Sequence, residues 1–326
     1  RNGAMTVGGV LLLASASGFA LVSGANDGAT LAVMGTRTRR ITPTVAVVVL
    51  MGLVALGPLV VGTAVATTLA RRLVSFEGSQ GRMALLAAVV AALVVVFALN
   101  KRGTPTSLTL SLTGGIVGAG LGAGLSVQWP AIAGVLLVGL AAPLLSVPAG
   151  WLVYRAMGGP LGRFIATHCI NAAQYVGYVL LGLAYSANDA QKMVAIIAIG
   201  TAAQLDPVAA TVPGQLSIAA LFGAGVLLTL RTMASRVGEG VMYIRTPHFI
   251  ATSIGSSCVV LATSLLGVPV STTQAATGAA VGSGVATTPF GVRWKEVSRI
   301  GVAWAVTMPL SLGLGAALAA LGTWAR

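Results

Sequence analysis

The sequence predicts an all-α, polytopic helical membrane protein built as two repeats with discontinuous or re-entrant half-helices, and three observations carry that prediction. The first is composition: of 326 residues, 56% are hydrophobic and 8% are charged, about a third of the charged fraction usual in soluble domains, and the mean hydropathy is +0.94. The second is a set of uncharged runs, Thr42 to Ala70, Met83 to Leu99, Ser107 to Tyr154 and Ile300 to Ala325. Each is long enough to span or re-enter a bilayer, since about 20 helical residues cross the hydrocarbon core. The third is recurrence. Ser23-Gly24-Ala25-Asn26-Asp27-Gly28-Ala29 returns as Ser186-Ala187-Asn188-Asp189-Ala190-Gln191-Lys192, and Gly103-Thr104-Pro105-Thr106-Ser107-Leu108-Thr109 returns as Gly267-Val268-Pro269-Val270-Ser271-Thr272-Thr273. The offsets are 162 from Asn26 to Asn188 and 164 from Pro105 to Pro269. Two unrelated motifs in one order at nearly one offset mark two copies of a unit, residues 1–157 and 158–326.

Taken in order, an apolar helix from Val7 to Val22 runs into Asn26-Asp27, where Gly24, Ala25, Gly28 and Ala29 permit close backbone approach or local unwinding. Its apolar run passes Ala14-Ser15-Ala16 with only Arg1 as a basic flank and leads straight into a repeated motif, so it reads as a retained span rather than a cleaved signal. Arg37, Arg39 and Arg40 close it. The span Thr42 to Ala70 carries a kink at Gly57-Pro58. Its partner is Met83 to Leu99, and Lys101-Arg102-Gly103 halts the chain before Pro105 opens a helix. Thr106 to Gly124, rich in Gly and hydroxyls, suits a short or re-entrant helix packed within protein. Trp129-Pro130 marks a membrane interface, and Ala131 to Tyr154 completes the unit. Met157-Gly158-Gly159-Pro160 lies midway between the matched motifs and serves as the boundary. The second unit follows the same plan: Phe164 to Tyr185, the polar loop Leu205-Asp206-Pro207 to Gly214, spans Leu216 to Leu230 and Phe249 to Leu266, a helix opened by Pro269, and a last span from Ile300 to Trp324.

The net charge of +13 is carried by basic residues between the apolar runs, where they meet lipid headgroups. No basic stripe with interleaved aromatics points to nucleic acid. Arg flanks both ends of Thr42 to Ala70, so charge leaves the orientation open. Cys169 and Cys258 form no C-x-x-C pair, and His168 and His248 are isolated and read as structural or interfacial.

Of six acids, Glu77, Glu239 and Glu296 sit in basic loops and Asp206 in a Pro/Gly loop. Asp27 and Asp189 alone adjoin long apolar helices at matched positions. A carboxylate at membrane depth costs at least about 2.5 kcal/mol and needs a partner or a role. Helix capping is the plainer explanation for an Asn-Asp pair, but it does not account for two copies in register with a second motif. Asp carboxylate, Asn carbonyl oxygen and unwound backbone carbonyls are hard ligands, suited to Na⁺ or to a proton on the carboxylate, so Asn26, Asp27, Asn188 and Asp189 are the candidate cation residues. The Pro-hydroxyl segments have the opposite polarity. A helix starting inside the membrane presents free N–H groups and its positive dipole end, and Thr106, Ser107, Thr109, Ser271, Thr272 and Thr273 add hydroxyl donors for an anion.

GANDGA at 24–29, ANDAQK at 187–192 and GVPVSTT at 267–273 closely resemble the inorganic phosphate transporter (PiT) family, over nearly the whole chain. The resemblance implies an inverted repeat, a symporter carrying inorganic phosphate with Na⁺ or H⁺, a homodimer, and a multi-pass place in the plasma membrane. It implies that Asp27 and Asp189 serve cation coupling, as Na⁺ ligands if sodium is the ion, and that the hydroxyl-rich half-helix starts hold phosphate; no other cofactor is expected. Gln174 matches a glutamine of that family, and Gln191, Lys192 and Gln274 complete a possible outer layer of the site. Where many relatives carry His after the hydroxyl triplet this chain has Gln274, with Leu110 at the first-copy equivalent, and Met193 stands where Thr is frequent. A sulfate carrier of the same family is the alternative. An intramembrane enzyme acting on phosphorylated lipids is disfavoured, because the matched titratable groups are two Asp residues with no His beside them. A passive anion channel is disfavoured because intramembrane acids repel its permeant ion.

Overall fold

The computed structural model describes residues 7–37, 40–101, 106–164, 168–201, 211–236 and 240–324. Arg1, Arg39, Arg102, Gly103, Thr104, Pro105, Leu205, Asp206, Pro207 and Glu239 lie outside them. Among the described residues the elements are helical. The first repeat comprises α1 (Val7–Ser23), a π-helical turn (Gly24–Gly28), α2 (Ala29–Thr36), α3 (Pro43–Val61), α4 (Ala64–Thr67), a second π-turn (Thr68–Arg72), α5 (Gly78–Lys101), α6 (Leu108–Gly122) and α7 (Trp129–Met157). After α8 (Pro160–Phe164), the second comprises α9 (Ile170–Tyr185), a π-turn (Ser186–Ala190), α10 (Gln191–Thr201), α11 (Val212–Arg236), α12 (Thr246–Leu265), α13 (Thr272–Thr287) and α14 (Trp294–Trp324). Seven stretches of described helix are long and apolar enough to cross a membrane, and the 15-residue α6 is a shorter apolar helix. The chain is a multi-pass membrane protein. Leu137, Leu140 and Leu144 of α7 are exposed while Ile132, Val135 and Ala142 are buried, which gives that helix one face for lipid and one for protein.

Three sequence expectations need correction. Thr42 to Ala70 is not one span: α3 carries Pro58 without ending there and stops at Val61, because Gly62 takes φ 88°, a left-handed conformation open to a residue without Cβ. The half-helix starts lie later than the prolines. Ser271 caps α13 at Thr272, three residues after Pro269, and Ser107 caps α6 at Leu108. Third, of the close backbone approach or unwinding expected at the Asn-Asp segments, the approach occurs, with Gly24 against the Phe222 backbone, and the unwinding does not. The segments stay helical as π-turns, with the Ala29 N–H reaching back to the Gly24 carbonyl.

The repeats exchange partners. α6 lies along α14 of the other repeat, with Gly114 facing Met308, Gly118 facing Leu312 and Gly122 facing Ala316. α13 lies along α7, with Gly278 facing Pro143 and Gly282 facing Val147. A Cβ on Gly118 would overlap the Leu312 carbonyl, and one on Gly282 the Val147 carbonyl, so glycine sets the interaxial distance at both contacts. Residue numbers rise together across each contact, so both pairs run parallel.

That parallelism establishes the inversion. Val74 pairs with Val127, placing the entry to α5 and the exit of α6 at one membrane face, face I, where α7 begins. α6 runs toward face I, so its parallel neighbour α14 does too and begins at the opposite face, face II. The exit of α13 lies beside the start of α14, and His248 at the start of α12 bonds Thr287 at that exit, 3.0 Å away. Equivalent ends of α6 and α13 therefore sit at opposite faces. With Cys169 and Cys258 removed, cysteines at Ser126 and Phe290, both exposed, are expected to react with impermeant maleimide from opposite sides; labelling from one side would contradict the inversion.

Candidate functional site

Asp189 and Asn188 sit in the π-turn between α9 and α10, fully inside the protein. Asp189 Oδ1 forms an ion pair with Lys192 Nζ at 2.5 Å, and its Oδ2 accepts from Thr272 Oγ1 at 2.6 Å. Lys192 also donates to Thr109 Oγ1, and at 2.8 Å to the Val270 carbonyl. Its three N–H groups thus meet three oxygens, which is the full donor capacity of an ammonium. Asn188 Nδ2 donates to Ser264 Oγ (2.9 Å) and the Val268 carbonyl (3.2 Å), while its Oδ1 accepts from the Val270 N–H (3.0 Å). This clamp fixes the extended stretch that leads into α13.

The first repeat builds the same scaffold with a different filling. Asn26 Nδ2 donates to Asp27 Oδ1 at 2.9 Å, and Thr273 Oγ1 approaches the same oxygen at 3.4 Å. Asn100 Nδ2 donates to Asn26 Oδ1 at 3.0 Å and Thr106 Oγ1 donates to Asn100 Oδ1 at 3.1 Å. Asn100 is the two-fold mate of Ser264. Three carbonyls of the π-turns accept from side chains: Thr229 Oγ1 donates to Ala25, Thr30 Oγ1 to Asn26 and Gln191 Nε2 to Ala187.

The six hydroxyls divide. Ser107 and Ser271 accept from the Leu110 and Gln274 N–H groups as N-caps of α6 and α13. Thr109 donates to the Val270 carbonyl and Thr272 to Asp189. Thr106 and Thr273 line a cavity of about 360 Å³ together with Asn26, Asp27, Thr30 and Asn100. That volume falls within the range of about 300–1,000 Å³ common for small-molecule sites. At its far end stand Glu296, Arg299 and Trp304 in the opening turns of α14, so the cavity runs from face II to Asp27. Glu296 is not in a loop, as expected, but bonded to Arg299 at 3.3 Å in this mouth.

Of the expected outer residues, Lys192 is in contact with the site. Gln191 instead caps α4, its Oε1 accepting from the Val65 and Ala66 N–H groups at 2.9 and 3.1 Å. Gln274 is buried in the first turn of α13. Gln174 is buried on α9, but 14 residues of helix put it about 21 Å along the axis from Asn188, so it does not belong to the site. His248 stacks on Tyr154 with ring centroids 4.7 Å apart, a structural role, and His168 stacks on Phe164. Sequence reasoning missed Asn100 and Ser264. Their offset of 164, equal to that of the prolines, could have found them.

The family model described as the phosphate transporter family matches residues 9–161 and, separately, 162–315. A protein of Mycobacterium tuberculosis (strain H37Rv) described as "Probable low-affinity inorganic phosphate transporter" is 33% identical over 195 residues, 57% of this chain and 45% of the relative's length. A Bacillus subtilis (strain 168) protein of the same description is 23% identical over 318 residues, 94% of this chain and 95% of its own length. The chain thus spans under half of the mycobacterial relative and nearly all of the Bacillus one. A solved structure entitled "The sodium-dependent phosphate transporter" superposes with a TM-score of 0.82 at 20% identity, covering 98% of this chain and all of the other, a likeness of fold.

Proposed function

Because this chain belongs to the phosphate transporter family, we propose that it is a secondary transporter that carries inorganic phosphate across the membrane together with a cation, Na⁺ or H⁺. The observation that carries this reading is the cavity that joins Asp27 and Asn26 to Thr106 and Thr273, each of which stands at the start of a half-helix from a different repeat. A cation beside Asp27 offsets the carboxylate's charge. The first turns of α6 and α13, with positive dipole ends and N–H groups beyond those the caps take, then attract an anion beside it. Cation and phosphate enter together because each screens the charge that would repel the other. The moving units are not residues 1–157 and 158–326 themselves, since α6 packs on α14 and α13 on α7 across the repeats; helix groups that combine elements of both repeats rock about this point and exchange the face II opening for one at face I. We take the working assembly to be a homodimer, which the mass of the detergent-purified chain tests.

The deciding experiment is uptake of labelled phosphate into proteoliposomes, with sulfate or arsenate as competitor and with Na⁺ replaced by choline. Arsenate is expected to compete and sulfate to compete weakly. Uptake suppressed by sulfate at equal concentration would point to a sulfate carrier, and accumulation indifferent to every cation gradient would remove the coupling. Persistence in choline with a pH gradient assigns the coupling to H⁺.

A further inference from the structure

We propose that the Lys192 ammonium is a tethered cation that fills the second repeat's cation site, so that the chain couples transport to a single free monovalent cation, held at Asp27. This rests on the reading of Asp27 as the cation residue.

The argument is a comparison of two-fold mates. Around Lys192 Nζ stand Asp189 Oδ1, the Val270 carbonyl and Thr109 Oγ1: a carboxylate, a carbonyl and a hydroxyl drawn from both repeats. These are the hard oxygens that a Na⁺ ion takes. The repeat offsets map them onto Asp27, Thr106 and Thr273. The mapping holds in space, because Thr109 Oγ1 lies 3.5 Å from Asp189 Oδ1 and Thr273 Oγ1 lies 3.4 Å from Asp27 Oδ1. The frame is duplicated, but its occupant is not. Lys192 maps onto Thr30, whose hydroxyl turns back to the Asn26 carbonyl at 2.7 Å within its own helix. Thr272, which holds the other Asp189 oxygen, maps onto Leu108, which offers no hydroxyl.

Access follows the same division. Asp27 and Thr273 line the cavity from face II, whereas Asp189 and Lys192 do not, and Lys192 is 2% exposed. A charge attached to the chain needs no such path. It supplies the positive charge that Asp189 requires through every transport cycle and is never released, so it contributes to holding the anion but not to the driving force.

The test is equilibrium binding of ²²Na⁺ to the purified full chain with saturating inorganic phosphate, comparing the unmodified protein with Lys192→Thr, which copies Thr30 of the first repeat. The variant is expected to bind one more Na⁺ per chain and to show a melting temperature that rises with Na⁺ where that of the unmodified protein rises less. Equal counts in the two proteins overturn the proposal. A second measurement needs no variant: activation of phosphate uptake by the coupling cation, Na⁺ or H⁺, is expected to follow a Hill coefficient of about one, and a value near two in the unmodified chain overturns it. Absence of phosphate uptake from the unmodified chain defeats the proposed function instead, and the ²²Na⁺ comparison still decides the assignment of Lys192.

Discussion

Asp27→Asn is expected to abolish cation-coupled phosphate uptake while leaving the chain folded and inserted. Asn keeps the shape of the side chain and a hydrogen-bonding oxygen, but removes the negative charge proposed to hold the cation. Loss of a charged ligand worth about 3 kcal/mol lowers cation affinity on the order of 100-fold. Folding should survive because Asp27 takes part in neither of the ion pairs seen among the described residues, Lys192–Asp189 and Arg299–Glu296. The matched substitution Asp189→Asn behaves differently. It leaves a buried ammonium without its counter-charge, which destabilises by about 3–5 kcal/mol, so low yield and a broadened size-exclusion profile are expected there. The sequence alone gave no ground for separating the two substitutions. Proteoliposome uptake and the size-exclusion profile of both variants make the check, and near-normal uptake by Asp27→Asn would end the cation assignment and restore the helix-cap explanation.

The duplication was legible because it left two motifs, not one, at offsets of 162 and 164. The Gly-rich character of Thr106 to Gly124 likewise foretold a helix packed on protein, and the reason is now visible in Gly114, Gly118 and Gly122 against the backbone of α14. Which helix they would meet was not legible. Partner exchange between repeats depends on where α14 returns, and no local pattern encodes that. The break at Gly62 was hidden because a glycine in an apolar run reads equally as packing or as a left-handed stop, and Pro58 one turn earlier looked the stronger breaker. Among the site residues, the Asn-Asp pairs stood out as acids within apolar helices, whereas Lys192 was expected only in an outer layer of the site. Its three buried oxygens come from α6, from the lead into α13 and from its own helix turn, a meeting set by tertiary structure.

The anion half of the site yields the second large effect. Thr106 and Thr273 are the hydroxyls of the six that line the cavity, and they belong to opposite repeats. Replacing either by Ala is expected to raise the phosphate concentration for half-maximal uptake roughly 10- to 100-fold, since a hydrogen bond to a charged group contributes about 1.5–3 kcal/mol. The double variant should approach the product of the two effects if each hydroxyl meets phosphate separately. A smaller combined loss would mean that one hydroxyl acts through the other or through Asp27, which Thr273 also touches. Ser107→Ala and Ser271→Ala test the alternative that the hydroxyls matter only for folding. They remove the caps of α6 and α13, a loss of about 0.5–2 kcal/mol of stability, and should lower the melting temperature; Ser107→Ala is expected to change apparent phosphate affinity little, whereas Ser271→Ala also removes a 3.0 Å hydrogen bond with Thr273 Oγ1. If the cap variants shift phosphate affinity as strongly as Thr106→Ala and Thr273→Ala, the half-helix starts act as a structural unit. If the latter two leave it unchanged, phosphate does not bind between them.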